Sequence, residues 1–130
     1  ELLIKDLCAR LPYGVKMNHI ADDEHSPKTL IGVAKDMITL EGLGGYECVD
    51  VEDYKPYLFP LSSITDEQER ELSKLGVSYG EYALHDDIRG LGIMVDDAYI
   101  FFEFCYKHHI DFLGLIEMGL AIDATDKNIY

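Results

Sequence analysis

Basic residues are scarce in this chain: 11 Lys and Arg stand against 25 Asp and Glu, a formal net charge of −14 over 130 residues. No basic stripe exists, and binding nucleic-acid phosphates or anionic lipid depends on clustered cations. Direct nucleic-acid binding is therefore not expected. The three cysteines, Cys8, Cys48 and Cys105, are too far apart for a CxxC pair, which excludes a zinc knuckle or a thioredoxin-like motif. Each has apolar neighbours, such as Leu7, Val49 and Phe104, and reads as a small core residue in a reducing cytoplasm. No apolar run approaches the roughly 20 residues that span a bilayer, and no signal-peptide pattern is present. An initiator Met is missing too, which points to a trimmed N-terminus. Repeats, low-complexity tracts and linkers are absent, so one domain over residues 1–130 is expected.

The chemical motifs are equally sparse. There is no GxSxG elbow, and Gly42–Gly45 and Gly90-Leu91-Gly92 match neither a P-loop nor a dinucleotide fingerprint. His108-His109 with Asp111 offers only His108 and Asp111 at i,i+3, short of the three or four ligands zinc needs. The alternative places His108 buried or half-buried near a helix C-terminus, with His109 in solvent. His85-Asp86-Asp87 and Asp22-Asp23-Glu24-His25 carry acid–base or cation-binding groups, but charge runs of this kind are usually solvated loop faces. No metal, cofactor or catalytic residue is assigned.

What is present reads as an α+β domain. Hydrophobic residues form 48% of the chain, enough for a packed core. Leu3, Leu7 and Leu11 share one face of a short helix that Pro12 ends. Strands are predicted over Tyr13–Ile20, where apolar residues alternate, over the apolar and partly β-branched run Thr29–Ala34, over Met37–Glu41, over Tyr46–Glu52 with imperfect alternation, and over Tyr57–Phe59. Four or five short strands suggest a small antiparallel curved sheet or an SH3-like barrel, flanked by two to three helices. Thr65 and Gln68 form a capping box for a helix in which Leu72 and Leu75 face inward and Gly76 is the stop. Asp96 or Asp97 caps a further helix over Ala98–His109, with Phe101, Phe104, Cys105 and His108 on one side. Gly119 ends a last helical turn, and Leu120-Ala121-Ile122 reads as a closing strand.

Tyr54, Tyr57 and Phe59, beside Pro56 and Pro60, either line a groove for an extended peptide or pack in the core. The leading expectation is a non-enzymatic module whose partner is another protein. Two alternatives stand beside it: an acidic DNA mimic that inhibits a nucleic-acid-binding protein, and a small hydrolase using His85 with Asp86 or Asp87.

Three stretches carry a resemblance: Lys5–Lys16; Lys55-Pro56-Tyr57-Leu58 with Pro60–Thr65; and His108–Phe112 with Gly114–Glu117 and Gly119-Leu120-Ala121. Through them the chain resembles a family of small uncharacterised proteins of gut Bacteroides and their prophage-like or mobile elements. In that pattern an Arg often stands where Phe59 and Leu113 stand here, so the resemblance implies two lost cations. It implies no activity, cofactor or catalytic residue.

Overall fold

Leu7 lies fully buried on α1 (Leu2–Arg10), with Leu3 and Leu11 half-buried beside it, so the i, i+4, i+8 face meets the sheet as its spacing predicts. The computed structural model describes residues 1–22, 26–75 and 95–130, the side chains of 95–98 excepted. A 3-10 turn at Leu11–Tyr13 follows α1, and Gly14 takes the left-handed φ of 68° that releases the chain into the sheet.

The sheet is open and mixed, in the order β4-β3-β2-β1-β5-β6, with β7 also pairing β5. Its antiparallel part contains β1 (Lys16–His19), β2 (Lys28–Val33), β3 (Met37–Gly42), β4 (Gly45–Asp50) and β5 (Tyr54–Pro60). Alternation sets the faces: Leu30, Ile38 and Leu40 point into the core, and a bulge at Ile31 shifts the β2–β3 register. The barrel alternative does not hold, because β4 and β6 end the sheet without meeting. A purely antiparallel sheet does not hold either. The two-residue strands β6 (Ile110–Asp111) and β7 (Ile122–Asp123) run parallel to β5.

Helix α2 (Asp66–Lys74) starts on the expected capping box. Thr65 Oγ1 accepts from Gln68 N at 3.1 Å, and Gln68 Oε1 accepts from Thr65 N at 3.0 Å. Leu72 is buried, but Leu75 is exposed at the helix end and does not face inward. Helix α3 (Val95–Lys107) begins upstream of the cap expected at Asp96 or Asp97.

Two apolar clusters result among the described residues. One joins α1 to the sheet through Leu7, Met17, Leu40 and Leu58. The other joins α2 and α3 to β6 through Leu72, Phe101, Phe104, Cys105 and Ile110. Leu113 packs on both.

Candidate functional site

Where the first turn of α1 faces the β2–β3 turn and the start of β5, the surface opens into a groove of about 930 Å³. Leu2, Leu3, Ile4, Val51, Met118 and Leu120 supply its apolar lining, with Tyr54 at one side. Among the described residues its charged lining is balanced: Glu1, Asp36 and Glu52 against Lys5, Lys35 and Lys55, three of each sign. Such balance is unusual in a chain with more than two acids per base.

The wall carrying Met118 and Leu120 is held from below by Asp111. Its Oδ1 accepts from Leu115 N at 2.9 Å and its Oδ2 from Ile116 N at 2.8 Å. Gly114 and Gly119, at φ 80° and 77°, supply the left-handed positions that let the turn close. Leu120 N then reaches Leu115 O at 2.9 Å, which leaves Met118 56% exposed at the rim.

Behind the groove, at the far end of α1, Arg10 and Asp6 form an ion pair with no solvent exposure of either side chain. Arg10 Nε donates to Asp6 Oδ2 at 2.6 Å and Nη2 to Ile110 O at 2.7 Å, while the guanidinium lies 5.2 Å from the Tyr106 ring centre. Asp6 Oδ1 accepts no hydrogen bond among the described residues. Burial pushes the Asp6 carboxyl up, and the Arg10 charge only partly opposes it. The pair is a structural tie between α1, α3 and β6.

The residues singled out from sequence are dispersed. The rings of Tyr54 and Tyr57 belong to the core, and Phe59 is half-buried against Tyr130, so the three do not form one aromatic face. Cys105 is buried as expected, and burial holds its thiol protonated. Cys8 and Cys48 are exposed, contrary to their core reading, because Cys8 is on the outer side of α1 and Cys48 on an edge strand.

His108 bonds Glu71 Oε2 at 2.9 Å, and Lys107 reaches Oε1 at 3.2 Å. Burial works against ionisation of Glu71, but Lys107 and His108 outweigh it and hold the carboxyl below its usual range. Asp111, turned to its own loop, does not share a site with His108. His85, Asp86 and Asp87 lie outside the described residues, as do Asp23, Glu24 and His25. Among the described residues no group of three His, Cys, Asp or Glu could hold a metal ion.

His109 is not in solvent. Its ring stacks 3.7 Å from that of Tyr130, whose hydroxyl donates to Tyr57 O at 2.7 Å and accepts from Lys16 N at 2.9 Å. The β1–β5 register places Lys16 opposite Tyr57, so this hydroxyl bridges the next ladder position. Burial, then the nearby cations Arg10, His108 and Lys16, push the His109 imidazole down from 6.5 to about 4. Its Nδ1 has no partner among the described residues, so a protonated ring would bury an unpaired donor.

Between those two values the unfolded chain takes up a proton that the folded protein refuses, so stability falls as pH drops through the window. Allowing for partial exposure of the ring, the loss is about 2 kcal/mol. Asn keeps the φ of 60° and removes the titration. The stability difference between wild type and His109→Asn in urea titrations is therefore expected to shift toward the variant by that amount between pH 7 and pH 4.5. An unchanged difference would show that His109 titrates normally.

No family model, no curated protein and no solved structure matches the chain.

Proposed function

We propose that this protein is a non-enzymatic cytoplasmic interaction module. Its groove beside α1 takes an amphipathic segment of a partner protein. One observation carries the reading: an apolar groove whose described charged lining is balanced, on a chain whose charge is otherwise acidic. Exposed apolar surface bounded by polar residues is typical of protein contact sites. Mixed rim charge repels neither an acidic nor a basic flank, so the apolar side of the segment supplies the attraction. The free, exposed Cys8 and Cys48 support a reducing compartment. An origin in a prophage-like or mobile element is proposed from the sequence resemblance alone.

An enzyme is the weaker reading. Among the described residues, His19 accepts from Ala21 N, His108 is tied to Glu71 and His109 is stacked on Tyr130. None is paired with a nucleophile.

Selection of a random-peptide library on the immobilised protein tests the groove. Enriched peptides are expected to share two or three apolar anchors at helical spacing. Their binding should weaken about tenfold or more with Met118→Asp, a rim change that places a charge in the path of an apolar side chain. Circular dichroism confirms that the variant is folded. Absence of enrichment, or binding indifferent to both Met118→Asp and Leu2→Asp, would overturn the proposal. Capture of basic peptides only, abolished by salt, would favour the DNA-mimic alternative.

A further inference from the structure

Strand β4 is the free edge of the sheet: it pairs with β3 on one side and with no strand among the described residues on the other. Its hairpin closes at the Gly42–Gly45 pair, and the ladder alternates from there. Glu47 and Val49 turn their backbone groups toward β3, and Val51 N continues that side by donating to Asp36 O at 3.1 Å. Tyr46, Cys48 and Asp50 therefore direct their N–H and C=O groups outward. The same three residues carry exposed side chains on the outer face, with Tyr46 73% exposed and Leu43 fully exposed at the hairpin tip.

We infer that this edge is a self-association surface, on which a second copy adds its own β4 antiparallel about Cys48. The choice of occupant rests on charge and register. Antiparallel self-pairing must place outward residues opposite outward residues, which leaves few options. Centring on Glu47 or Asp50 sets two carboxylates face to face, a destabilising arrangement. Centring on Tyr46 or Val49 shortens the strand overlap. Centring on Cys48 pairs the full run Tyr46–Asp50. Asp50 then faces the partner's Tyr46, whose hydroxyl can donate to it, and Glu47 faces the partner's Val49. No like charges are opposed. The two Cys48 residues meet as a hydrogen-bonded pair, with Cα atoms about 5.5 Å apart, within disulfide reach.

This contact uses none of the groove residues and does not depend on the partner-binding reading. Each copy carries −14, so association tightens as salt screens the repulsion. The test is sedimentation equilibrium at low and high salt, alongside oxidation by diamide. Diamide takes two protons and two electrons from a thiol pair as the disulfide forms.

The expected result is a salt-favoured shift from 14.7 kDa toward twice that mass, with a disulfide-linked dimer that persists in Cys8→Ser and is lost in Cys48→Ser. Tyr46→Asp opposes carboxylates at both ends of the pairing and should weaken the dimer about tenfold. Tyr46 is mostly solvent-exposed, so the variant keeps the fold. A monomer at every salt and concentration overturns the inference, as does a dimer that is indifferent to Tyr46→Asp or cross-links through Cys8.

Discussion

Replacing Arg10 with methionine is expected to lower folding stability by about 3–5 kcal/mol, read as a lower urea midpoint at unchanged slope. Methionine fills much of the same volume, so the loss is electrostatic rather than a cavity effect. Asp6 Oδ2 loses its 2.6 Å partner, and its Oδ1 already has none among the described residues, so a carboxylate would be left buried and unpaired. The Ile110 carbonyl loses its 2.7 Å donor as well.

The pH response identifies the cause. Asp6 already stands above its ordinary value of 3.8 because burial outweighs Arg10, and removing Arg10 raises it further. A carboxyl with a raised folded value is stable relative to the unfolded chain at low pH, and that advantage is lost as pH rises. The deficit of Arg10→Met should therefore shrink between pH 7 and pH 4. Adding Asp6→Leu should restore most of the loss at pH 7, since an apolar pair of similar volume replaces two buried charges. Full recovery is not expected, because the Ile110 carbonyl still lacks its donor. A deficit independent of pH and of Asp6 would mean that Arg10 contributes by packing alone.

That pair marks the boundary of what could be read from sequence. Asp6 and Arg10 stand at i,i+4, the spacing of an ordinary surface pair, and nothing near them distinguishes it from a buried one. Their burial is imposed by Cys105, Tyr106 and Ile110, about a hundred residues along the chain. Features set by neighbours in sequence were legible: the Thr65–Gln68 capping box, the inward face of α1 carrying Leu7, and the strands on either side of Gly42–Gly45.

Features set by topology were not. Cys48 alternates like a core residue and is exposed because β4 is an edge. Strand β6 has two residues, too few for any period, and exists through parallel pairing to β5, whereas the closing strand expected at Leu120-Ala121-Ile122 is met at its end by β7. His109 reads as a solvent residue after a helix, and a tyrosine 21 positions later covers it. The groove is assembled from the start of α1, two turns and the entry to β5, so no single run of residues announces it.

Asp111→Ala should cost about 3 kcal/mol, and its effect should reach the groove although Asp111 does not line it. The carboxylate accepts two backbone N–H bonds at 2.9 and 2.8 Å from a site only 6% exposed. Charge-assisted bonds of this kind contribute roughly 1.5–3 kcal/mol each, and alanine leaves both donors without their acceptor. With the anchor gone, the turn over Gly114–Gly119 loses the contact that sets Leu115, and with it the Leu115 O bond that places Leu120.

Any peptide held in the groove should then bind more weakly in Asp111→Ala than its loss of global stability explains, because Met118 and Leu120 are no longer held in place. Asp111→Asn separates the two effects. It keeps one acceptor and so should retain about half the stability, but its amide presents a donor to a donor at the second position. Calorimetric unfolding measures the first quantity and titration of a selected peptide the second. If Asp111→Ala unfolded the chain no more easily and left peptide affinity unchanged, the 114–120 turn would be held by its apolar contacts. The carboxylate would then have no part in shaping the wall.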